Sequence, residues 1–256
     1  MNLAILVLAA GRGTRMESDL PKVLHILRGQ SLLAHVLTAC QSLHPDRLIA
    51  VVGHQAELVE SEIKPAFPGV EFVLQTETKG TGHAVMQAQS TLQGFDGDII
   101  VTCGDVPLLT SETLFDLVEK RRHNEAAASM LVGRLDNPAR YGRVVMEVGG
   151  SVSEIIEAKD ASPEILALET VNAGTYCFSS AALWEQLGKI GDNNNSGEYY
   201  LTDVVGLLAN SGQKVVGILI EEREMTGINT RSELATLESQ LEAEERLLAE
   251  SEGQPS

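Results

Sequence analysis

The chain has 256 residues, 43% of them hydrophobic, and a formal net charge of −17. This length holds one large α/β domain or two small ones around a full core, and the acidic balance excludes nucleic-acid binding through a general basic surface. No apolar run approaches the about 18 residues of a membrane span and no basic segment precedes the first apolar stretch, so neither a membrane partner nor a signal peptide is expected.

Apolar strands and amphipathic helices alternate from the start. Residues 3–9, 48–52, 70–74 and 98–103 read as strands, and residues 32–43, 55–64 and 82–92 as helices. The order βαβαβαβ, with near-continuous Val/Ile/Leu strands, predicts an α/β fold: a mostly parallel twisted sheet with helices on both faces. Ligands of such sheets lie beyond the carboxyl ends of the strands, here the loops after Ala9, Val52, Leu74 and Cys103. Residues 104–125 receive no element. Residues 126–133, 143–148, 152–158 and 170–177 read as short strands between turns, an antiparallel addition walling one side of a pocket. Residues 179–221 return to helix, helix and strand. Thr230 opens a last helix with Glu233 three residues on, the pattern of a capping box. Leu234, Leu237, Leu241 and Leu248 form an apolar stripe that packs on its own domain or on a partner, which leaves self-association through this helix open. The terminal "ESEGQPS" is expected to fray. Cys40, Cys103 and Cys177 are scattered without CxxC spacing, which fits a reducing, cytoplasmic setting better than a disulfide framework or a zinc site.

The first loop reads "LAAGRGTRM", residues 8–16. A GxxxxGK[ST] phosphate loop is absent from the chain. A dinucleotide fingerprint fails as well, because Arg15 or Met16 stands where its third glycine belongs and the second strand ends in Val52-Gly53-His54 without an acid. What remains is G-x-G-T-R followed by Pro21-Lys22. Gly11 and Gly13 are expected to curl the backbone so that its N–H groups form an anion nest. Arg15 adds a planar fork for two phosphate oxygens, and Lys22 a compact mobile cation.

The string "LAAGRGTRM…LPKVLH" resembles the signature of the sugar-phosphate nucleotidylyltransferases. "LQTETKGTGHA", "GDVPLL", "YGR", "EAKDA", "VNAGTY", "NNNSGEYYLTD" and "GINTR", in that order, narrow the resemblance to the GlmU-type uridylyltransferase domains, and it runs from about residue 3 to residue 249. The resemblance implies a Rossmann-like nucleotidyltransferase fold over residues 1–229, with a nucleotide-binding half (1–110) and an antiparallel sugar-binding half (111–229), followed by a C-terminal helix and tail (230–256). It implies UTP and N-acetylglucosamine 1-phosphate as substrates and Mg²⁺ as cofactor. Nothing in the chain encodes the hexapeptide repeats of a left-handed β-helix acetyltransferase, so no acetyltransferase activity is expected of it.

Asp105, just past Gly104 at the end of the fourth strand, is a hard oxygen ligand suited to Mg²⁺, and the resemblance makes Asn229 its second ligand; alone, Asn229 reads as a helix cap. Gln75 offers a donor and an acceptor to the edge of a base. The resemblance places Gln75, Gly80 and Thr81 around uracil, and Leu8, Ala9, Ala10, Gly11, Gly13, Gly104 and Asp105 along the nucleotide. His83 reads as helix packing. In the second half Gly142 offers a backbone N–H, Glu157 a carboxylate for paired hydroxyls and Asn172 an amide of both polarities; by resemblance these three, with Tyr200, Thr202 and Asn229, line the sugar side. The attacking phosphate oxygen of a sugar 1-phosphate is already an anion, so no general base is required, and Arg15 and Lys22 are the expected catalytic cations. Two alternatives stay open on sequence: another sugar 1-phosphate such as N-acetylgalactosamine 1-phosphate, and a non-catalytic module that binds nucleotide sugars.

Overall fold

The computed structural model describes residues 2–252, with side chains from residue 2 to residue 247. In chain order the elements are β1 (Asn2–Ala9), β2 (Ile26–Leu27), β3 (Gln30–Ser31), α1 (Leu32–Gln41), β4 (Arg47–Val52), α2 (Ala56–Ile63), β5 (Glu71–Leu74), α3 (Thr81–Gln87) and β6 (Gly97–Cys103). They continue as α4 (Ser111–His123), β7 (Ala128–Arg134), β8 (Arg143–Met146), β9 (Val152–Ile156), α5 (Pro163–Leu166), β10 (Thr170–Ser179), α6 (Ser180–Leu187), α7 (Thr202–Asn210), β11 (Val215–Leu219), α8 (Glu222–Met225) and α9 (Arg231–Glu252).

The main sheet runs β11-β7-β10-β6-β1-β4-β5, with the β8–β9 hairpin attached to β10. β1 is parallel to β4 and β6, β4 to β5, and β7 to β11; β10 alone runs against both of its neighbours along this path. The antiparallel addition comprises the β8–β9 hairpin set against β10, and β10 itself, which lies inside the sheet between β6 and β7. β7 and β11 consequently point the same way as β1, and the start of β10 returns to that same edge. Registers align the edge: Ala9 pairs with Val52, Val52 with Leu74 and Leu8 with Cys103. Residues 10, 53, 75, 104, 135–142, 170–172 and 220–229 therefore open onto one rim.

The period-two alternation of buried strands separates two cores. Leu3, Ile5, Val7 and Ala9 face Leu33, Val36 and Leu37 of α1, Val59 and Ile63 of α2, and Leu114, Leu117 and Val118 of α4. Ala4 and Leu6 face Ala84 and Val85 of α3, Leu183 and Leu187 of α6, and Val204, Val205 and Leu208 of α7. α4 lies within residues 104–125, for which no element is expected, although its signals are local. The Thr110 side chain caps Thr113, Leu114, Leu117 and Val118 are buried, and the last turn is basic. The helix expected over 82–92 stops at Gln87 and gives way to turns. On α9, Leu237 is buried with Leu27, Leu32 and Ile228, with Leu234 and Leu241 packed beside it, so this part of the stripe covers its own domain. The side chain of Leu248 and residues 253–256 of the tail lie outside the described residues, while the backbone of residues 250–252, expected to fray, continues α9. Among the described residues no helix is long and apolar enough to cross a membrane.

Candidate active site

The rim begins with the loop after β1. Gly13 has φ +61°, and a Cβ there would stand 2.5 Å from Cβ of Lys22. Only glycine permits both that backbone and that approach. Gly11 has neither a positive φ nor a neighbour within 4 Å of a Cβ position, so of the two glycines expected to curl the backbone only Gly13 takes a left-handed conformation. Met16 N–H bonds to the Gly13 carbonyl at 2.8 Å, and buried Met16, Val23 and Leu24 pin the loop to the core. Arg15 and Lys22 are left free to face the rim.

Four predicted residues meet there. Lys22 Nζ donates to Asp105 Oδ2 and, at 3.3 Å, to Asn229 Oδ1, while Arg15 Nη2 donates to the same Asn229 oxygen at 2.9 Å. Each partner is positioned by its backbone. Gly104 N–H bonds to the Leu8 carbonyl at 2.9 Å, and Ile228 N–H to the Asp105 carbonyl at 2.9 Å. Glu233 closes the capping box: its carboxylate accepts from Asn229 N–H at 2.6 Å and Thr230 N–H at 3.2 Å, and its own N–H donates to Thr230 Oγ1 at 3.1 Å. Asn229 Nδ2 donates to the Gly227 carbonyl at 3.1 Å, which turns Oδ1 toward the cations. Two hard oxygens therefore converge on one ammonium nitrogen, a donor set that fits Mg²⁺, which takes one or two protein oxygens and completes its shell with water and phosphate. Among the described residues no group of three or more His, Cys, Asp or Glu side chains gathers for a metal, so a site built wholly from such ligands is absent there.

A cavity of about 300 Å³ adjoins this cluster, lined by Leu8, Ala9, Ala10, Gly11, Lys22, Gln75, Gly80, Thr81 and Asp105 from the expected set. Val23, Thr78, Ala84, Cys103 and Glu198 complete the wall. Glu198 was not anticipated; it directly precedes the tyrosine pair of "GEYYLTD", and its segment is stitched to the loop before α3. Tyr199 N–H bonds to the Lys79 carbonyl, Gly82 N–H to the Tyr199 carbonyl, each at 2.8 Å, and Leu201 N–H to Thr81 Oγ1 at 3.1 Å. Burial pushes the Cys103 thiol up to about 12, so it stays protonated at neutral pH. A larger cavity of about 560 Å³ lies between α8 and α9, with neither Arg15 nor Lys22 in its lining. We assign the chemistry to the smaller one, because polar groups from several strand ends converge there.

Of the expected sugar-side residues, Gly142, Glu157, Asn172 and Thr202 form a second cluster, whereas Asn229 lies in the first. Thr202 Oγ1 donates to Glu157 Oε1 at 3.2 Å, and a Cβ on Gly142 would stand 3.3 Å from Glu157 Oε2. Asn172 N–H bonds to the Gly142 carbonyl at 2.9 Å. Asn172 sits at a β-bulge in β10, where its Oδ1 accepts from Gly174 N–H at 3.0 Å. Gly174 in turn touches Cys103, which lines the cavity, so the two clusters are contiguous. Near Tyr200, the Ser196 hydroxyl accepts from Lys159 at 3.1 Å. Burial raises the Glu157 carboxyl above its ordinary 4.5; the Thr202 hydroxyl opposes this, and Asp160, Asp203 and Glu198 add to it. A carboxyl that binds its proton more tightly when folded lowers stability as pH rises from 4.5 through the raised pKa. Glu157→Gln, which cannot ionise, is therefore expected to melt above the wild type at pH 7, with the gap narrowing toward pH 4.5 in thermal scans.

A glycine-bearing loop, two cations and two side-chain oxygens thus meet at the carboxyl edge of a mixed α/β sheet. The chain belongs to the MobA-like NTP transferase domain family, whose pattern matches residues 5–195. It is 45% identical over 239 residues to the bifunctional protein GlmU of Streptococcus gordonii, covering 93% of this chain and 51% of that protein. It is 47% identical over 240 residues to the GlmU protein of Synechococcus sp. strain CC9605, covering 94% and 52%. The chain thus spans about half the length of the curated relatives it matches. Among solved structures it superposes on a UDP-glucose pyrophosphorylase complexed with UDP-glucose with a TM-score of 0.78 at 15% identity, covering 95% of this chain and 100% of that one. The inositol-1-phosphate CTP transferase of T. maritima gives 0.71 at 16% identity over 91% of each chain. These two likenesses bear on the fold alone.

Proposed function

We propose that the chain is a uridylyltransferase that forms UDP-N-acetylglucosamine and pyrophosphate from UTP and N-acetylglucosamine 1-phosphate. The observation that carries the reading is the meeting of Arg15, Lys22, Asp105 and Asn229 beside the Gln75 cavity. The motif order and the identity to GlmU proteins support it.

A phosphate oxygen of the sugar 1-phosphate attacks the α-phosphorus of UTP in line, and the bond to the β-phosphate oxygen breaks. The nucleophile is already charged, so the protein supplies orientation and charge stabilisation. The loop backbone and Arg15 hold the departing pyrophosphate against the global charge of −17. Bound at Asp105 and Asn229, Mg²⁺ would polarise the phosphoryl oxygens as a Lewis acid. With the ion held there, the Lys22 ammonium would give up Asp105 and Asn229 and lie on the α-phosphate. Gln75, Gly80 and Thr81 take the uracil, while Glu157, Asn172, Gly142, Tyr200 and Thr202 take the sugar.

Pyrophosphate release with Mg²⁺ across a panel of nucleoside triphosphates and sugar 1-phosphates tests the reading. UTP with N-acetylglucosamine 1-phosphate is expected to give the highest kcat/KM. Equal or faster turnover of N-acetylgalactosamine 1-phosphate would move the assignment to that sugar, and nucleotide-sugar binding without turnover would reduce the chain to a binding module.

A further inference from the structure

Gln75 is 4% exposed at the end of β5, yet it lines the cavity. A glutamine amide carries two N–H donors on one side and an acceptor oxygen on the other, so its usefulness to a base depends on which way it is turned. Here the nitrogen is engaged twice. Nε2 donates to the Gly80 carbonyl at 3.2 Å and stands 3.0 Å from Nδ1 of His83. The reversed amide would press its oxygen against the Gly80 carbonyl oxygen, so Nδ1 is the acceptor of the second N–H. The group left for the cavity is Oε1.

His83 is itself held in place. It lies in the first turn of α3, and its ring leans on Tyr199 with centroids 6.3 Å apart. The turn before it cannot shift freely. Gly80 has φ +100°, and a Cβ on Gly82 would stand 2.4 Å from Cδ1 of Ile190 and 2.9 Å from the Tyr199 carbonyl.

We infer that His83 is a positioning residue for base selection: with the Gly80 carbonyl it holds the Gln75 amide so that Oε1 faces the base, which favours a pyrimidine whose N3 donates over one whose N3 accepts. Uracil carries N3–H and cytosine a bare N3, so the same oxygen that accepts from uracil repels cytosine. The inference rests on the uridylyl reading above. Histidine at this position thus acts through Gln75 and touches no reacting atom.

The test is the ratio of kcat/KM for UTP to that for CTP in the wild type, His83→Leu and His83→Asn. Losing one of the two bonds that set the amide is expected to lower the ratio by roughly three- to tenfold in His83→Leu. His83→Asn, whose Oδ1 can take the place of Nδ1 as acceptor, is expected to restore most of it. An unchanged ratio in a folded His83→Leu, or equal losses on both nucleotides, would overturn the positioning role. A wild type that does not prefer UTP over CTP would instead overturn the uridylyl reading on which it rests.

Discussion

Lys22→Ala is expected to lose about 10²- to 10³-fold in kcat, the usual cost of removing one preorganised charge from a developing anion. The side chain is 14% exposed and pairs with an Asp105 carboxylate that is 16% exposed, so this ammonium sits in a partly dry site where charge counts for more than at the open surface. If Lys22 lies on the α-phosphate, the loss falls on kcat more than on the KM for UTP, because charge gathers there in the transition state. Lys22→Arg is expected to recover only part of the rate. Gly13 presses on the Lys22 stem, and the guanidinium fork is wider than an ammonium. Steady-state kinetics on the three proteins, with melting curves to verify folding, decide the matter. An unchanged kcat in Lys22→Ala would remove this residue from the chemistry.

Asp105→Asn is expected to cost about 10³-fold or more, since a metal contact supplies several kcal/mol of charge stabilisation. The substitution keeps the shape of the side chain and its acceptor oxygen but discards the charge that draws a divalent ion. Mn²⁺ titration followed by electron paramagnetic resonance, with UTP present, is expected to show tight binding to the wild type and weakened binding to the variant. A variant that retains both the metal and the turnover would leave the pairing of Asp105 with Asn229 as a structural ion cluster around Lys22.

The sequence made the first half of the sheet legible because its strands are short unbroken Val/Ile/Leu runs and its helices carry apolar stripes. α4 carries comparable signals in Thr110, Leu114, Leu117 and Val118, since its cap and three buried positions are local. The placement of β10 between β6 and β7 was not legible, since its pairing partners are remote along the chain and strand order is set by tertiary contact. The site shows the same division. Motif order named Arg15, Lys22, Asp105 and Asn229, but Lys22 is 83 residues from Asp105 and 207 from Asn229, and no local periodicity encodes their meeting. Gly11 and Gly13 look alike in the string; only the approach of Lys22 and the positive φ single out Gly13. His83 reads as helix packing in the sequence because its link to Gln75 depends on a side-chain rotamer and on the Gly80 carbonyl.

The most direct measurement is ³¹P NMR of a reaction containing UTP, Mg²⁺ and N-acetylglucosamine 1-phosphate labelled with ¹⁸O in its phosphate. In-line attack at the α-phosphorus predicts that the label is retained in UDP-N-acetylglucosamine and that the released pyrophosphate is unlabelled. Label in the pyrophosphate, or no diphosphate product from a folded protein, would contradict the account.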